Sequence, residues 1–136
     1  MKPHFQVGVA LIVQDGHYLI TQRKPDVHLG GLWEFPGGKC QDGESLAECV
    51  SREILEELDI EISQPIYFMA SRHEYVEKTV VLNFFECSIL RGRPQAIECA
   101  DFRWVKPENF HEFEFPPADI PVIHRLCMQT SLSSSQ

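Results

Sequence analysis

Apolar and β-branched residues run almost unbroken from Gln6 to Val13, meet a turn signal at Asp15-Gly16, and resume from Tyr18 to Thr21. Two such runs across a short polar turn predict a β-hairpin. A polar loop follows from Arg23 to Leu32, with Pro25 and the pair Gly30-Gly31. Trp33-Glu34-Phe35 is a short extended stretch that Pro36-Gly37-Gly38 is expected to stop, because glycine and proline punctuate regular structure. Further strands are predicted at Ile66 to Ser71, Thr79 to Ile89 and Phe102 to Val105. Pro117 to Met128 reads as a helix whose start is blurred by Pro121, and the Ser-rich stretch Thr130 to Gln136 as a disordered tail. Strands and helices interleave without an internal repeat, so the expected fold class is α/β, a sandwich with a mixed β-sheet. One domain over residues 1–129 is expected.

The strongest helical signal lies between these strands. Ser45 can cap it, and Glu48 three residues on completes a capping box. Leu46, Ala47, Val50, Ile54 and Leu58 fall within roughly 120° of one another at about 100° per residue, an ordinary core-facing stripe. The same helix carries Glu53, Glu56 and Glu57 at i, i+3, i+4, on one side. Glu57 falls inside the apolar stripe and Glu53 at its edge. Acid clusters are more often solvated faces, here eased by Arg52 and Lys39. A carboxylate inside the stripe, however, loses hydration worth several kcal/mol unless it is paired or binds a metal. Clustered oxygen ligands suit a hard divalent cation such as Mg2+ or Mn2+. Gly37-Gly38 just before the helix offers a bare main chain whose carbonyl could join them, though most Gly-Gly pairs are simple turns.

Charge narrows the partners. The chain has 136 residues, 20 acidic and 12 basic side chains and a net charge of −8. Its field repels a polynucleotide backbone, and it would repel a small polyphosphate too unless cations mediated the contact. No apolar run approaches the ~20 residues of a membrane span, and Met1 to Gln6 lack a signal-peptide pattern. The five cysteines are scattered and odd in number, with no C-x-x-C pair. Free thiols in a reducing cytoplasm are expected, in a monomer that binds neither membrane nor nucleic acid.

The residues around the acidic helix resemble the Nudix box, G-x5-E-x7-R-E-U-x-E-E-x-G-U, where U is bulky and apolar. The chain reads Gly38, five residues, Glu44, seven residues, then Arg52-Glu53-Ile54-Leu55-Glu56-Glu57-Leu58-Asp59-Ile60, matching eight of nine specified positions over 23 residues. Asp59 replaces the usual glycine, at a position expected to be left-handed and to cost about 1 kcal/mol. The stretches Gly30 to Lys39 and Phe115 to Asp119 resemble MutT-like members that sanitise the nucleotide pool.

That resemblance implies a Nudix fold, an α/β/α sandwich, and a magnesium-dependent hydrolase in which manganese can substitute. Water would attack the β-phosphorus of a nucleoside triphosphate, giving a nucleoside monophosphate and pyrophosphate. It implies cation binding by Glu53, Glu56, Glu57 and the Gly37 carbonyl, with Glu98 as a further ligand or base. Glu53 is the expected catalytic base and Glu98 the second candidate. Gly38, Glu44 and Arg52 would organise these ligands. Arg23, His28, Phe35 and Asp119 would contact the nucleotide. An ionised Asp119 only accepts hydrogen bonds, so it would favour 8-oxoguanine, whose N7 carries a proton, over guanine. Relatives hydrolysing CTP or 5-methyl-dCTP share the Pro117 to Pro121 run, and their substrates form the alternative. A non-catalytic nucleotide-binding module is disfavoured because no carboxylate of the box is missing.

Overall fold

Gln6 to Val13 is almost unbroken in apolar character because helices cover both faces of the strand it forms. In the computed structural model, which describes residues 2–134 and no side chain from 130 onward, β1 (His4–Gln14) sits at the centre of a mixed sheet. Val9 and Leu11 point into one core with Phe84, Phe110, Val122 and Leu126. Ala10 and Ile12 point into the other with Val50, Ile54, Leu58 and Phe85. Period-two alternation thus serves two apolar layers at once.

The remaining elements dress this strand. β2 (His17–Gln22) returns antiparallel through the Asp15-Gly16 turn, both residues at positive φ. β3 (Trp33–Glu34) and β9 (Asp101–Val105) pair with β2. β7 (Thr79–Cys87) lies parallel to β1, and β6 (Ile66–Glu74) closes the edge antiparallel to β7. Helix α1 (Leu46–Leu58) covers one face and α2 (Ile120–Ser134), with the 3₁₀ segment Pro107–Glu112, covers the other. The expected α/β/α sandwich around a mixed sheet is the observed one. No helix among the described residues is long and apolar enough to cross a membrane.

Four expectations change. Gly37-Gly38 is no turn: β4 (Gly37–Lys39) pairs with β1, and neither glycine has positive φ. Their need is space, since a Cβ on Gly37 would strike the Gly8 carbonyl and one on Gly38 the Glu53 carboxylate. The strand expected to end at Ile89 breaks at Ser88. β8 (Ile89–Arg91) then pairs with β5 (Glu61–Ile62), a two-residue strand too short for pattern to reveal. Pro117–Asp119 is a 3₁₀ turn, and α2 begins only at Ile120, which places Pro121 in its first turn where a missing N–H costs nothing. The backbone of α2 continues past Met128 to Ser134. The rest of the expected tail lies outside the described residues.

Candidate active site

Three glycines set the distances around the site. Gly8 lets α1 sit close to β1, as a Cβ there would approach both Cys49 and Val50 at 2.9 Å. Gly37 lets β4 lie against β1, and Gly38 leaves room for Glu53. Helix α1 is fixed at its start by the expected box: Glu48 N donates to Ser45 Oγ at 3.1 Å, and Ser45 N to Glu48 Oε1 at 2.8 Å. At its end Asp59 is left-handed (φ 57°, ψ 41°), as expected, and its N–H donates to the Leu55 carbonyl.

One guanidinium organises the acids. Arg52 donates through Nε and Nη2 to both oxygens of Glu44, at 2.6 and 2.9 Å. Its Nη1 reaches Glu53 Oε1 at 2.9 Å and Glu56 Oε2 at 3.1 Å, and Nη2 also meets the Lys39 carbonyl. Planar fork geometry permits such sharing, which a lysine ammonium could not reproduce. These bonds hold the Glu44 carboxyl down at about 2.

Glu57 is left outside this bracket. It is 7% exposed, and among the described residues its Oε2 accepts only the Gly37 N–H, at 3.3 Å. Burial, then repulsion from Glu34, Glu53 and Glu98, pushes its pKa up to about 8. Burial also raises Glu53, although Arg52 opposes the shift. Glu98 belongs to a distant loop, brought here because the last carbonyls of α1 need donors. Gln95 N donates to Leu58 O, and Ile97 N and Glu98 N to Glu57 O. Glu98, Glu53, Glu57, Glu34, Gly37 and Arg23 all line one acidic recess of about 200 Å³.

A second cavity of about 220 Å³ opens from the same wall, sharing Arg23, Glu34 and Gly37. Val7, Val9, Leu82 and Ala118 make its apolar lining, with Tyr75, Lys39 and Lys78 around it and Asp119 among the buried residues. Asp119 is 4% exposed, and burial followed by the nearby Glu34 charge raises its pKa well above the usual carboxylate range. Burial and Glu34 thus favour the neutral form of Asp119, one donor and one acceptor, over the ionised acceptor expected from the sequence, while the nearby Arg23 pulls the other way.

The other expected nucleotide contacts divide. Arg23 lies at the junction of the two recesses, but its Nη1 grips both oxygens of Glu34 (3.0 and 3.2 Å) and its Nε the His28 carbonyl (2.7 Å). His28 lines the apolar cavity with its ring edge-on to Tyr75. Phe35 touches the cavity yet is a core residue, 3% exposed and packed on Phe84, Phe110 and Phe115. Glu34, Tyr75 and Lys78 were not expected. An acid inside the run Trp33-Glu34-Phe35 was the only signal for the first; the other two arrive through the β6–β7 connection, which carries no pattern.

A bracketed acid cluster on a helix, facing a cavity with a buried acid, matches a known constellation. The NUDIX domain family matches residues 8–125. The chain belongs to the Nudix family. Among relatives of this Nudix domain, the CTP pyrophosphohydrolase of Escherichia coli K12 is 34% identical, covering 87% of each chain. The 8-oxo-dGTP diphosphatase of the same organism is 31% identical over 89% of this chain and 95% of its own. The MutT protein of Methanosarcina mazei Go1 superimposes with a TM-score of 0.83 at 28% identity, covering 95% of this chain and 96% of its own. Nudix hydrolases generally use a divalent cation, and the donor set here suits one: Glu57 is a buried acid with no cationic hydrogen-bond partner among the described residues.

Proposed function

We propose that this Nudix hydrolase is a magnesium-dependent nucleoside triphosphate pyrophosphohydrolase, releasing a nucleoside monophosphate and pyrophosphate, with 8-oxo-dGTP as its preferred substrate. One observation carries the reading: a carboxylate recess and an apolar cavity holding the buried Asp119 meet at Arg23, Glu34 and Gly37. A polyphosphate fits the first only with cations, and a base fits the second.

Glu53, Glu56, Glu57 and the Gly37 carbonyl would hold the cations, with Glu98 at the rim. When bound, they neutralise phosphate oxygens and lower the pKa of an attacking water. Glu53 Oε1 is held by Arg52, which leaves Oε2 to accept a proton from that water. Arg23, at the junction, lies where the α-phosphate would join the sugar. It would have to share its Nη1 with Glu34.

Neutral Asp119 donates from its hydroxyl and accepts at its carbonyl. In 8-oxoguanine N7–H donates and O6 accepts, so both bonds form. In guanine N7 and O6 both accept, and one of the two contacts becomes repulsive. A buried mismatch of this kind can discriminate by up to about 10⁴-fold. Cytosine, with its N4 donor and N3 acceptor, satisfies the same acid, and the 34% identity to a CTP pyrophosphohydrolase makes cytosine nucleotides the second reading. The five free thiols suit a reducing cytoplasm.

Pyrophosphate release with magnesium from dGTP, 8-oxo-dGTP, dCTP, 5-methyl-dCTP and CTP is the test. The expected result is a kcat/KM for 8-oxo-dGTP at least about 10²-fold above that for dGTP. Preference for the cytosine nucleotides would replace the substrate and keep the mechanism. No turnover with either magnesium or manganese would reject the enzyme reading in favour of a binding module.

A further inference from the structure

Next to the Arg52–Glu44 pair, the fold assembles a second and chemically different set of ligands. Cys40 directly follows β4, Glu44 precedes the helix cap, and Cys49 lies in the first turns of α1. The tight loop between Cys40 and Glu44, with Gly43 at φ +82°, folds these three back on one another. The two sulfurs and a Glu44 carboxylate oxygen all lie within 4.8 Å of one another. Cys49 is fully buried, its Sγ 3.5 Å from the Gly38 carbonyl, while Cys40 and Glu44 are part-exposed. Beside them an open pocket lined by His4, Gln6, Lys39, Cys40, Asp42 and Glu44 gives access from solvent.

We propose that Cys40, Glu44 and Cys49 form a site for a thiophilic divalent cation of the zinc type, whose occupation inhibits the hydrolase by drawing Glu44 away from Arg52. Two sulfurs and one carboxylate are a poor set for magnesium, which prefers oxygen, and a good one for zinc or cadmium, with water completing the tetrahedron. Coordination deprotonates the thiols as the metal binds. Burial holds both thiols above the ordinary thiol range without metal, which makes them slow toward oxidants.

The link to turnover is steric. Glu44 gives both its oxygens to Arg52, so an oxygen taken by a cation is lost to the guanidinium that also steadies Glu53 and Glu56. The inhibition rests on the hydrolase reading; the metal site does not.

Cobalt(II) is the probe, because thiolate ligation produces a near-ultraviolet charge-transfer band that oxygen ligation lacks. The full chain is titrated with excess magnesium to fill the carboxylate recess, and with a phosphine to keep all thiols reduced. One equivalent of cobalt should generate the band, zinc should erase it, and Cys40→Ser should weaken cobalt binding at least tenfold. Zinc should inhibit the magnesium enzyme and lose that potency at least tenfold in Cys40→Ser, whose basal turnover is unchanged. Cys49→Ala should match Cys40→Ser, and circular dichroism verifies the fold of both. Absence of the band, or an equal band in both variants, overturns the site. A normal cobalt band with zinc inhibition unchanged in Cys40→Ser overturns the coupling through Glu44. If no nucleotide is hydrolysed at all, the band still decides the site.

Discussion

Glu53 and Asp119 are both carboxylic acids under burial, yet their surroundings give them different work. Glu53 keeps a guanidinium at 2.9 Å, so a small rearrangement suffices to present a charged oxygen to water or metal. Glu53→Gln keeps the shape and removes that charge. Turnover with saturating magnesium should fall on the order of 10²–10⁴-fold, with the melting temperature nearly unmoved. Wild-type kcat in this variant would remove Glu53 from the chemistry. At Asp119 burial outweighs the pull of the nearby Arg23, and the prediction there concerns pH. Its folded pKa is raised above the unfolded value, so between the two the native state holds a proton that the unfolded chain has lost. Stability from this group is therefore lost as pH rises above the usual carboxylate range. Asp119→Asn imitates the neutral acid and does not titrate. In urea denaturation, the stability of wild type relative to this variant should decline as pH rises above the usual carboxylate range. A flat difference would mean that Asp119 is ionised in the folded protein, restoring the sequence-based expectation. The same variant should shift preference among bases more than the overall rate.

Helix α1 tests the element scale, because its ends were legible and its surroundings less so. The capping box and the left-handed Asp59 follow from local rules. Asp59 is exposed and its strain is local, so Asp59→Gly should stabilise the protein by about 1 kcal/mol, or roughly 3–6 °C in melting temperature. Its kcat and KM should stay as they are; a large kinetic change would mean that the helix terminus positions Glu57. The burial of Glu57 was readable from the wheel, since a residue between Leu46 and Val50 has nowhere else to go. The strand at Gly37–Lys39 was not, because glycines that serve close approach resemble glycines that serve turns. Only the third dimension shows Gly38 facing Glu53. The same limit hid β5, whose two residues carry no periodicity, and Tyr75 and Lys78, which enter the cavity through a hairpin connection. The common face of Glu53, Glu56 and Glu57 was legible because a helix imposes spacing. The Arg23–Glu34 pair was not, since it joins a loop edge to a neighbouring strand.

At the scale of the whole molecule, a net charge of −8 and an acidic recess next to the core mean that the metal-free protein folds against its own function. Glu57 shows where that conflict is concentrated, buried beside Glu34, Glu53 and Glu98 with a single backbone donor. A cation that binds only the folded state adds stability by mass action, about 2.7 kcal/mol at a hundred times its dissociation constant. Magnesium should therefore raise the melting temperature of the wild type in a concentration-dependent way, and a chelator should reverse it. Glu57→Gln keeps the side chain's volume and removes an acid that must take up a proton to be buried without metal. Without metal at neutral pH it should melt above the wild type, because glutamine is buried with no proton taken up on folding. With magnesium it should gain little, and its turnover should fall on the order of 10²-fold. The two proteins should thus exchange rank as magnesium is added. If Glu57→Gln were instead less stable in both conditions, the Gly37 N–H bond would outweigh desolvation, and Glu57 would be a structural acid rather than a ligand kept at the expense of stability.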